Sequence, residues 1–256
     1  MISQELYQRW KEEERAAHIK GWNFSHISGR YEEENQLPWN YRDTILQHLR
    51  EDDRLLDIDT GGGEFLMTLG HRPENTYATE GYQPNYELCW ETLVPQGIHL
   101  AYLADDEALP WADGFFDVVI NRHGHMNLAE IYRTLKPGGL FITQQVGEDN
   151  DRELVELLTP GVEKQFPGMN LSDQAALFPA AGFQVLDSAE FFGPIRFFDV
   201  GALVWFARII DWEFIGFSVD GCLNNLKKAQ RVLEEQGVIE GRTHRFFIVA
   251  GKPHGK

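Results

Sequence analysis

The chain of 256 residues is predicted to fold as an α/β protein with a mostly parallel sheet flanked by helices. Short apolar runs alternate with amphipathic segments over residues 51–147, which is the pattern of successive strand–helix–strand units. Hydrophobic residues make up 43% of the chain, enough to bury a sizeable core. We therefore expect one domain over residues 1–256 rather than two full domains.

The predicted elements fall into four zones. Residues 1–50 form a polar, largely helical cap, residues 51–190 the cofactor-binding core, residues 191–243 a helical insert and residues 244–251 the last strand. The strands expected from apolar runs are 54–58, 76–80, 98–103, 116–121, 140–144, 183–188 and 245–250. The helices expected near the end of the core and in the insert are 172–181, 200–210 and 219–236.

A further helix is predicted between the strands 116–121 and 140–144. Leu128, Ile131, Tyr132 and Leu135 recur at i, i+3, i+4 and i+7, which places them on one helical face. The Lys-Pro-Gly-Gly run at 136–139 is predicted to stop this helix and turn the chain into the next strand. A right-handed crossover is the default for such a connection.

Cysteine usage and the apolar segments indicate a soluble cytoplasmic protein. Cys89 and Cys222 lie far apart and form no CxxC pair, so neither a disulfide framework nor a zinc site is predicted. The first fifteen residues are charged and lack the apolar run of a signal peptide. The longest apolar stretch, residues 200–210, is too short to cross a bilayer.

The formal net charge of −17 argues against a nucleic-acid partner. Proteins that bind nucleic acid gain much of their affinity from Lys and Arg on phosphates, whereas here acids outnumber bases 40 to 23. The plain interpretation of this acidity is solubility.

Residues 55–63 run from the first predicted core strand into a glycine-rich turn. Glycines let the backbone turn sharply and approach a ligand closely, although the run lacks the GxGxxG spacing of dinucleotide folds and could be a simple tight turn. Glu80 ends the next predicted strand, where a carboxylate can accept hydrogen bonds from both ribose hydroxyls of an adenosine cofactor. The alternative is an exposed acid in the turn before Gly81.

Four stretches, in order along the chain, resemble motifs of the class I S-adenosylmethionine (SAM)-dependent methyltransferases. Residues 55–66 resemble the glycine motif, and residues 76–85 the acidic motif of the second strand. Residues 103–122 resemble the acid pair and fourth strand, and residues 128–143 the Lys-Pro-Gly-Gly turn and fifth strand. The resemblance implies a seven-stranded, Rossmann-like sheet whose last strand is antiparallel, with SAM as cofactor and S-adenosylhomocysteine as its product.

The resemblance also implies the residues that hold the cofactor. Gly61 and Gly63 would face its methionine part, while Glu80, with Gly81 beside it, would hold the ribose. The remaining implied contacts are Asp105 or Asp106 to the adenine amino group with Glu107 close behind, Asn121 and Arg122 beside the sulfonium, and Arg30 to the methionine carboxylate.

Asp59 departs from the family pattern, because it stands where the first glycine of the motif is usual. Its carboxylate could face the cationic part of the cofactor or could alter the turn, while Asp57 is expected to anchor the loop. A nicotinamide or flavin dinucleotide is disfavoured, since its diphosphate would lie beside these two carboxylates.

Two histidines after the fourth core strand are candidate general bases, His123 and His125. Exposed or capping histidines in a turn are the alternative. Gln144 and Gln145, after the fifth core strand, could bind a polar acceptor or could be plain loop structure. In-line positioning alone can supply much of the rate of methyl transfer. No metal-binding pattern occurs in the sequence, so a metal-dependent mechanism is not predicted.

The insert over residues 191–240 is rich in aromatic residues. It is interpreted as a lid or a wall of the acceptor pocket, which favours a small, partly apolar acceptor. A dimer interface or extra core is the alternative. The predicted function is methyl transfer to a small molecule by a monomer or homodimer without a membrane partner. RNA base methylation and SAM binding without transfer are the other hypotheses.

Overall fold

A computed structural model describes residues 2–18, 24–34, 36–104 and 108–255. The chain divides into two compact units. Unit 1 comprises residues 1–37, 147–167 and 191–244, and unit 2 comprises residues 38–146, 168–190 and 245–256. The single domain expected from the sequence stays a prediction.

The strands, in chain order, are β1 (Tyr31–Glu33), β2 (Leu55–Ile58), β3 (Thr76–Glu80), β4 (His99–Tyr102), β5 (Phe116–Arg122), β6 (Leu135–Val146), β7 (Gln184–Phe197) and β8 (Ile239–Gly251). The helices are α1 (Gln4–Ala16), α2 (Tyr41–His48), α3 (Glu64–Thr68), α4 (Gln83–Thr92), α5 (Leu128–Thr134), α6 (Arg152–Leu158), α7 (Leu171–Ala180), α8 (Val200–Ile209) and α9 (Leu223–Gln236). No helix in the described ranges is long and apolar enough to cross a membrane.

Unit 2 contains the parallel part of the sheet. Strand β2 pairs in parallel with β3 and β5, β3 with β4, and β5 with β6. Residues 245–251 of β8 run antiparallel beside β6. The predicted α/β class, the mostly parallel sheet and the antiparallel last strand are confirmed.

Alternating side chains of these strands build two apolar layers, one on each face of the sheet. Leu55 of β2 and Val118 of β5 belong to one buried cluster, whereas the next residues along, Leu56 and Val119, belong to the other. Successive residues of a strand point to opposite faces, and a parallel sheet is covered by helices on both. This is why the strands read in the sequence as continuous apolar runs.

The described strands number eight rather than the seven predicted. The additional strand is β1, which pairs antiparallel with the end of β7 in unit 1. Its three residues are too few to show a strand pattern in the sequence, and the Tyr31 ring stacks on Phe197 at 5.8 Å. Whether residues 31–33 form a strand therefore depends on a pairing partner far along the chain.

The Lys-Pro-Gly-Gly run at 136–139 belongs to β6 and is not a separate turn. Helix α5 ends before it, but β6 already pairs at Leu135 with Phe116, and pairing resumes between Leu140 and Val118. The intervening residues form a bulge, which needs the left-handed conformation of Gly138 (φ 83°).

The helical insert predicted over 191–243 is wrong at both ends, where unit 1 is extended. Strand β7 continues to Phe197, with Gly193 and Ile195 buried on the same face, and β8 begins at Ile239. This period of two is typical of a strand covered on one face. Helix α9 also begins later than predicted, at Leu223.

Helix α8 forms the centre of the unit 1 core. It is buried over nearly its whole length and is capped by Asp199, whose Oδ1 accepts the Gly201 N–H at 2.6 Å. Of the aromatic residues in the insert, Trp205 and Phe206 are core, whereas Phe192, Phe198 and Trp212 are exposed. The lid interpretation therefore rests on these three exposed residues.

Candidate cofactor site

The predicted cofactor residues in unit 2 gather at the carboxyl ends of β2, β3 and β5. These three strands are parallel neighbours, so their ends lie along one edge of the sheet. Ligands of open α/β sheets bind at this edge.

The glycine loop after β2 has the backbone shape expected of a ligand-binding turn. Gly61 and Gly63 have φ of 65° and 81°, in the left-handed region that favours glycine. A Cβ on Gly61 would meet nothing within 4 Å, whereas one on Gly63 would lie 2.8 Å from the Leu93 side chain. The loop thus packs against the Leu93 side chain at Gly63 and has open space beside Gly61.

Glu80 joins this loop to the end of β3. Its side chain is buried, and its Oε2 and Oε1 accept the backbone N–H groups of Gly61 and Tyr82, each at 2.8 Å. A carboxylate oxygen has further lone pairs, so each can still accept from a hydroxyl. The sequence reasoning placed Glu80 at the site but missed its hold on the loop backbone, for which the sequence has no signal.

Asp59 adopts the left-handed conformation that a glycine would occupy, with φ of 56°. Asp tolerates this region better than most other residues. Its Oδ2 accepts the His125 N–H at 3.0 Å, and its own N–H donates to Thr79 Oγ1 at 3.3 Å. The carboxylate therefore connects the glycine loop to the loop after β5.

Asn121 is a fully buried connector between β2 and β6. Its Nδ2 donates to the Ile58 carbonyl at 3.1 Å, and its Oδ1 accepts from Gln145 Nε2 at 2.6 Å. The other amide, Gln144, accepts the Trp39 indole N–H at 2.9 Å. The three amides support the edge of the sheet from within.

Comparison with known proteins identifies the segment that carries these features. Residues 56–143 match the methyltransferase domain family. The chain is 30% identical over 136 residues to demethylmenaquinone methyltransferase of Thermus thermophilus, a match that covers 46% of this chain and 62% of that protein. It is 30% identical over 116 residues to the ubiquinone/menaquinone biosynthesis C-methyltransferase UbiE of Neisseria meningitidis, covering 41% and 47%. The chain spans about half to three-fifths of these relatives' length.

Residues 56–143 therefore form a methyltransferase domain, in agreement with the class I SAM-dependent family that the sequence motifs resemble. The predicted family is confirmed. The YcgJ protein of Bacillus subtilis has the same fold, with a TM-score of 0.56, 17% identity and coverage of 84% of this chain and 99% of that protein. At this identity the likeness shows the fold alone.

The residues of the methyltransferase domain fit the adenosine and methionine parts of SAM. The buried Glu80 carboxylate offers acceptors suited to a pair of ribose hydroxyls, and the open face of Gly61 leaves room beside the loop. At Gly81 a Cβ would lie 2.4 Å from the Leu103 carbonyl, so glycine is needed for close packing of backbone. Asp105, Asp106 and Glu107 lie outside the described residues.

Arg122 and the two histidines follow β5 in the methyltransferase domain. The Arg122 guanidinium lies 4.4 Å from the centre of the Phe65 ring, a cation–π contact. His123 has φ of 63° and is exposed, yet desolvation by the surrounding protein, followed by the charges of Arg245 and Arg122, lowers its pKa to about 3. The imidazole is therefore neutral at pH 7.

Arg30 lies in unit 1 and is already paired with carboxylates. Its guanidinium forms ion pairs with Glu13, at 2.7 Å, and with Asp199. To hold a methionine carboxylate, Arg30 would have to exchange one of these partners. Within the described ranges, no three His, Cys, Asp or Glu side chains are grouped as a metal site would require.

Asp57 is buried beneath the loop, and burial raises its pKa to about 7. The Thr60 hydroxyl, which donates to Asp57 Oδ2 at 2.7 Å, and the charge of Arg122 oppose this shift, whereas Asp59 and Glu80 add to it. An unfolded Asp has a pKa of about 4. Between these two values Asp57 binds its proton more tightly in the folded protein than in the unfolded chain, so its contribution to the free energy of unfolding falls as pH rises.

An Asp57→Asn variant is expected to gain stability relative to the wild type as the pH rises from about 4.5 to 7.5, by up to about 4 kcal/mol. Asn removes the titration and can still accept the Thr60 hydroxyl. Urea unfolding at a series of pH values measures the difference. Parallel stability curves for the two proteins would show that Asp57 titrates alike in the folded and unfolded states.

Proposed function

We propose that the protein transfers the methyl group of SAM to a small-molecule acceptor. The observation that carries the proposal is the buried Glu80 carboxylate, which holds the glycine loop through Gly61 at the carboxyl edge of a methyltransferase domain. The match to demethylmenaquinone methyltransferase supports the same chemistry.

The residues of this edge would position the cofactor and exclude water from it. Bound SAM would supply an electrophilic methyl group. The glycine loop and Glu80 would hold the methionine and ribose parts, while Asp105 or Asp106 stays the predicted partner of the adenine amino group. Asn121 holds the ends of β2 and β6 in register, so the floor of the site would not shift when ligands bind.

Positioning is proposed to contribute more to the rate than proton removal. A group with a pKa near 3 is a weak base, so His123 is poorly matched to proton abstraction near pH 7. His125 stays a candidate base, with its backbone N–H held by Asp59. An acceptor carbon in an electron-rich ring needs no strong base before methyl transfer, and the UbiE relatives are named as C-methyltransferases.

The acceptor is proposed to be a small, partly apolar molecule, with phenol and quinol rings tested first. The names of the relatives, which refer to quinone biosynthesis, support this choice. The charge of −17 argues against an RNA acceptor. A cytoplasmic location and a monomeric or homodimeric state are part of the same proposal.

Cofactor binding is the first test. S-adenosylhomocysteine is expected to raise the melting temperature, because a ligand that binds only the folded state stabilises it. NAD and FAD serve as controls, and no shift is expected with them since their diphosphates would lie beside the Asp59 carboxylate. Methyl transfer is then measured with labelled SAM against phenols, quinols and RNA fragments. No thermal shift at saturating S-adenosylhomocysteine would contradict the proposal, and turnover confined to RNA would overturn the acceptor class.

A further inference from the structure

Asp59 is the residue through which this site differs in charge from the usual glycine motif. A glycine at this position would adopt φ of 56° without strain and would carry no charge. The chain instead keeps an ionisable side chain in a left-handed conformation at the end of β2. Strained residues of this kind persist where the surrounding structure holds them in place.

The surrounding structure holds the Asp59 carboxylate between two loops of unit 2. Its Oδ2 accepts the N–H of His125 at 3.0 Å. Gly124 passes so close that a Cβ there would lie 2.5 Å from the same oxygen and 2.7 Å from Asn121 Nδ2. Gly124 does not have a positive φ, so close approach, rather than backbone conformation, is what requires glycine. The carboxylate is thus fixed at the edge where the glycine loop and the loop after β5 meet.

The charge around Asp59 is predominantly negative. Asp57 and Glu80 are the neighbouring carboxylates, and both Asp59 and Glu80 disfavour ionisation of the buried Asp57. Arg122 is the nearby cation that opposes this effect, and its guanidinium lies over the Phe65 ring. A cationic ligand at this edge would relieve the repulsion among the carboxylates, whereas a neutral one would not.

SAM and S-adenosylhomocysteine differ in this respect. SAM has a positive sulfonium, and S-adenosylhomocysteine has an uncharged thioether in its place, with one methyl group fewer. We propose that Asp59 is a specificity-determining residue, whose carboxylate makes the site prefer the cationic cofactor over the neutral product. The proposal rests on the proposed function, and its consequence is weaker inhibition of the protein by the product.

The test compares the affinities of the two ligands in variants that remove the charge. Asp59→Asn retains an acceptor for the His125 N–H and tolerates the left-handed conformation, so it isolates the charge. Asp59→Gly restores the usual residue and should fold without strain. Asp187→Asn, at an exposed position of β7, is the charge-matched control. Dissociation constants of SAM and S-adenosylhomocysteine are measured by calorimetry for all four proteins.

Both Asp59 variants are expected to lose preference for SAM, with the ratio of the two dissociation constants changing at least fivefold relative to the wild type. Asp187→Asn should leave the ratio unchanged. Equal losses of affinity for both ligands in Asp59→Asn and Asp59→Gly would assign Asp59 a structural role only and overturn the inference. Failure of the wild type to bind either ligand would overturn the proposed function itself, and the inference with it.

Discussion

An alanine at position 80 is expected to weaken S-adenosylhomocysteine binding by more than tenfold. Glu80 accepts the N–H groups of Gly61 and Tyr82 and is the acid proposed to hold the ribose. Alanine would remove charge-assisted hydrogen bonds to the ligand and would also leave two loop donors without their acceptor. The loss should therefore combine weaker contact with a less ordered loop.

Calorimetric titration of Glu80→Ala, Glu80→Gln and a Glu91→Ala control measures this loss. Glu91 is exposed on α4, so Glu91→Ala makes the same change of charge and leaves the glycine loop intact. Glu80→Gln should also bind poorly, because its amide NH2 would face one of the two backbone N–H groups. An unchanged dissociation constant in Glu80→Ala would remove Glu80 from the cofactor site.

Loss of the buried Asn121 amide is expected to lower the free energy of unfolding by about 2–4 kcal/mol. An alanine there removes the donor to the Ile58 carbonyl and the acceptor of Gln145 Nε2, both in a buried environment. The Ile58 carbonyl left without this donor costs about 1–3 kcal/mol. Gln145 Nε2 keeps Thr143 Oγ1 and the Gly124 carbonyl as acceptors, so the rest of the loss comes from the cavity that the side chain leaves.

Urea unfolding of Asn121→Ala, with Asn224→Ala as control, checks this value. Asn224 is exposed on α9, where a substitution is expected to change stability by less than about 0.5 kcal/mol. A loss in Asn121→Ala no larger than that of the control would mean that Asn121 is not needed to connect β2 with β6.

The strands of unit 2 could be predicted because their signals are local. The β3 bounds, Thr76–Glu80, agree with the apolar run read from the sequence, and β2 differs by one residue. A strand buried on both faces needs no knowledge of its neighbours to be recognised. The same holds for the glycine loop, whose residue types and order indicate a sharp turn before a helix.

The extended ends of β7 and β8 could not be predicted, because they depend on partners distant in the sequence. Residues 191–197 were expected in a helical insert, yet Phe197 pairs with Tyr31 of β1. Strand propensity is weak compared with such pairing. The aromatic content of residues 191–197 therefore does not indicate a helix.

Within the candidate site, the position of a residue in the sequence predicted whether it lies at the site. It did not predict which atoms the residue contacts. Glu80 and Asp59 lie at the expected edge, but their bonds to Gly61 and His125 involve backbone N–H groups, which no residue type reveals. Arg30 was expected to bind the methionine carboxylate, but its charge is already compensated by Glu13 and Asp199. These partners are distant in the sequence, so the sequence did not reveal them.

The pairing of β6 with β8 has a consequence for how the protein reaches its native state. Residues 245–251 are synthesised roughly 100 residues after β6. Strand β6 therefore emerges from the ribosome with one edge unpaired. Contacts between distant segments form slowly, and an uncovered strand invites association with other chains while it waits. The edge of β6 is therefore open to such association until residues 245–251 have joined the sheet.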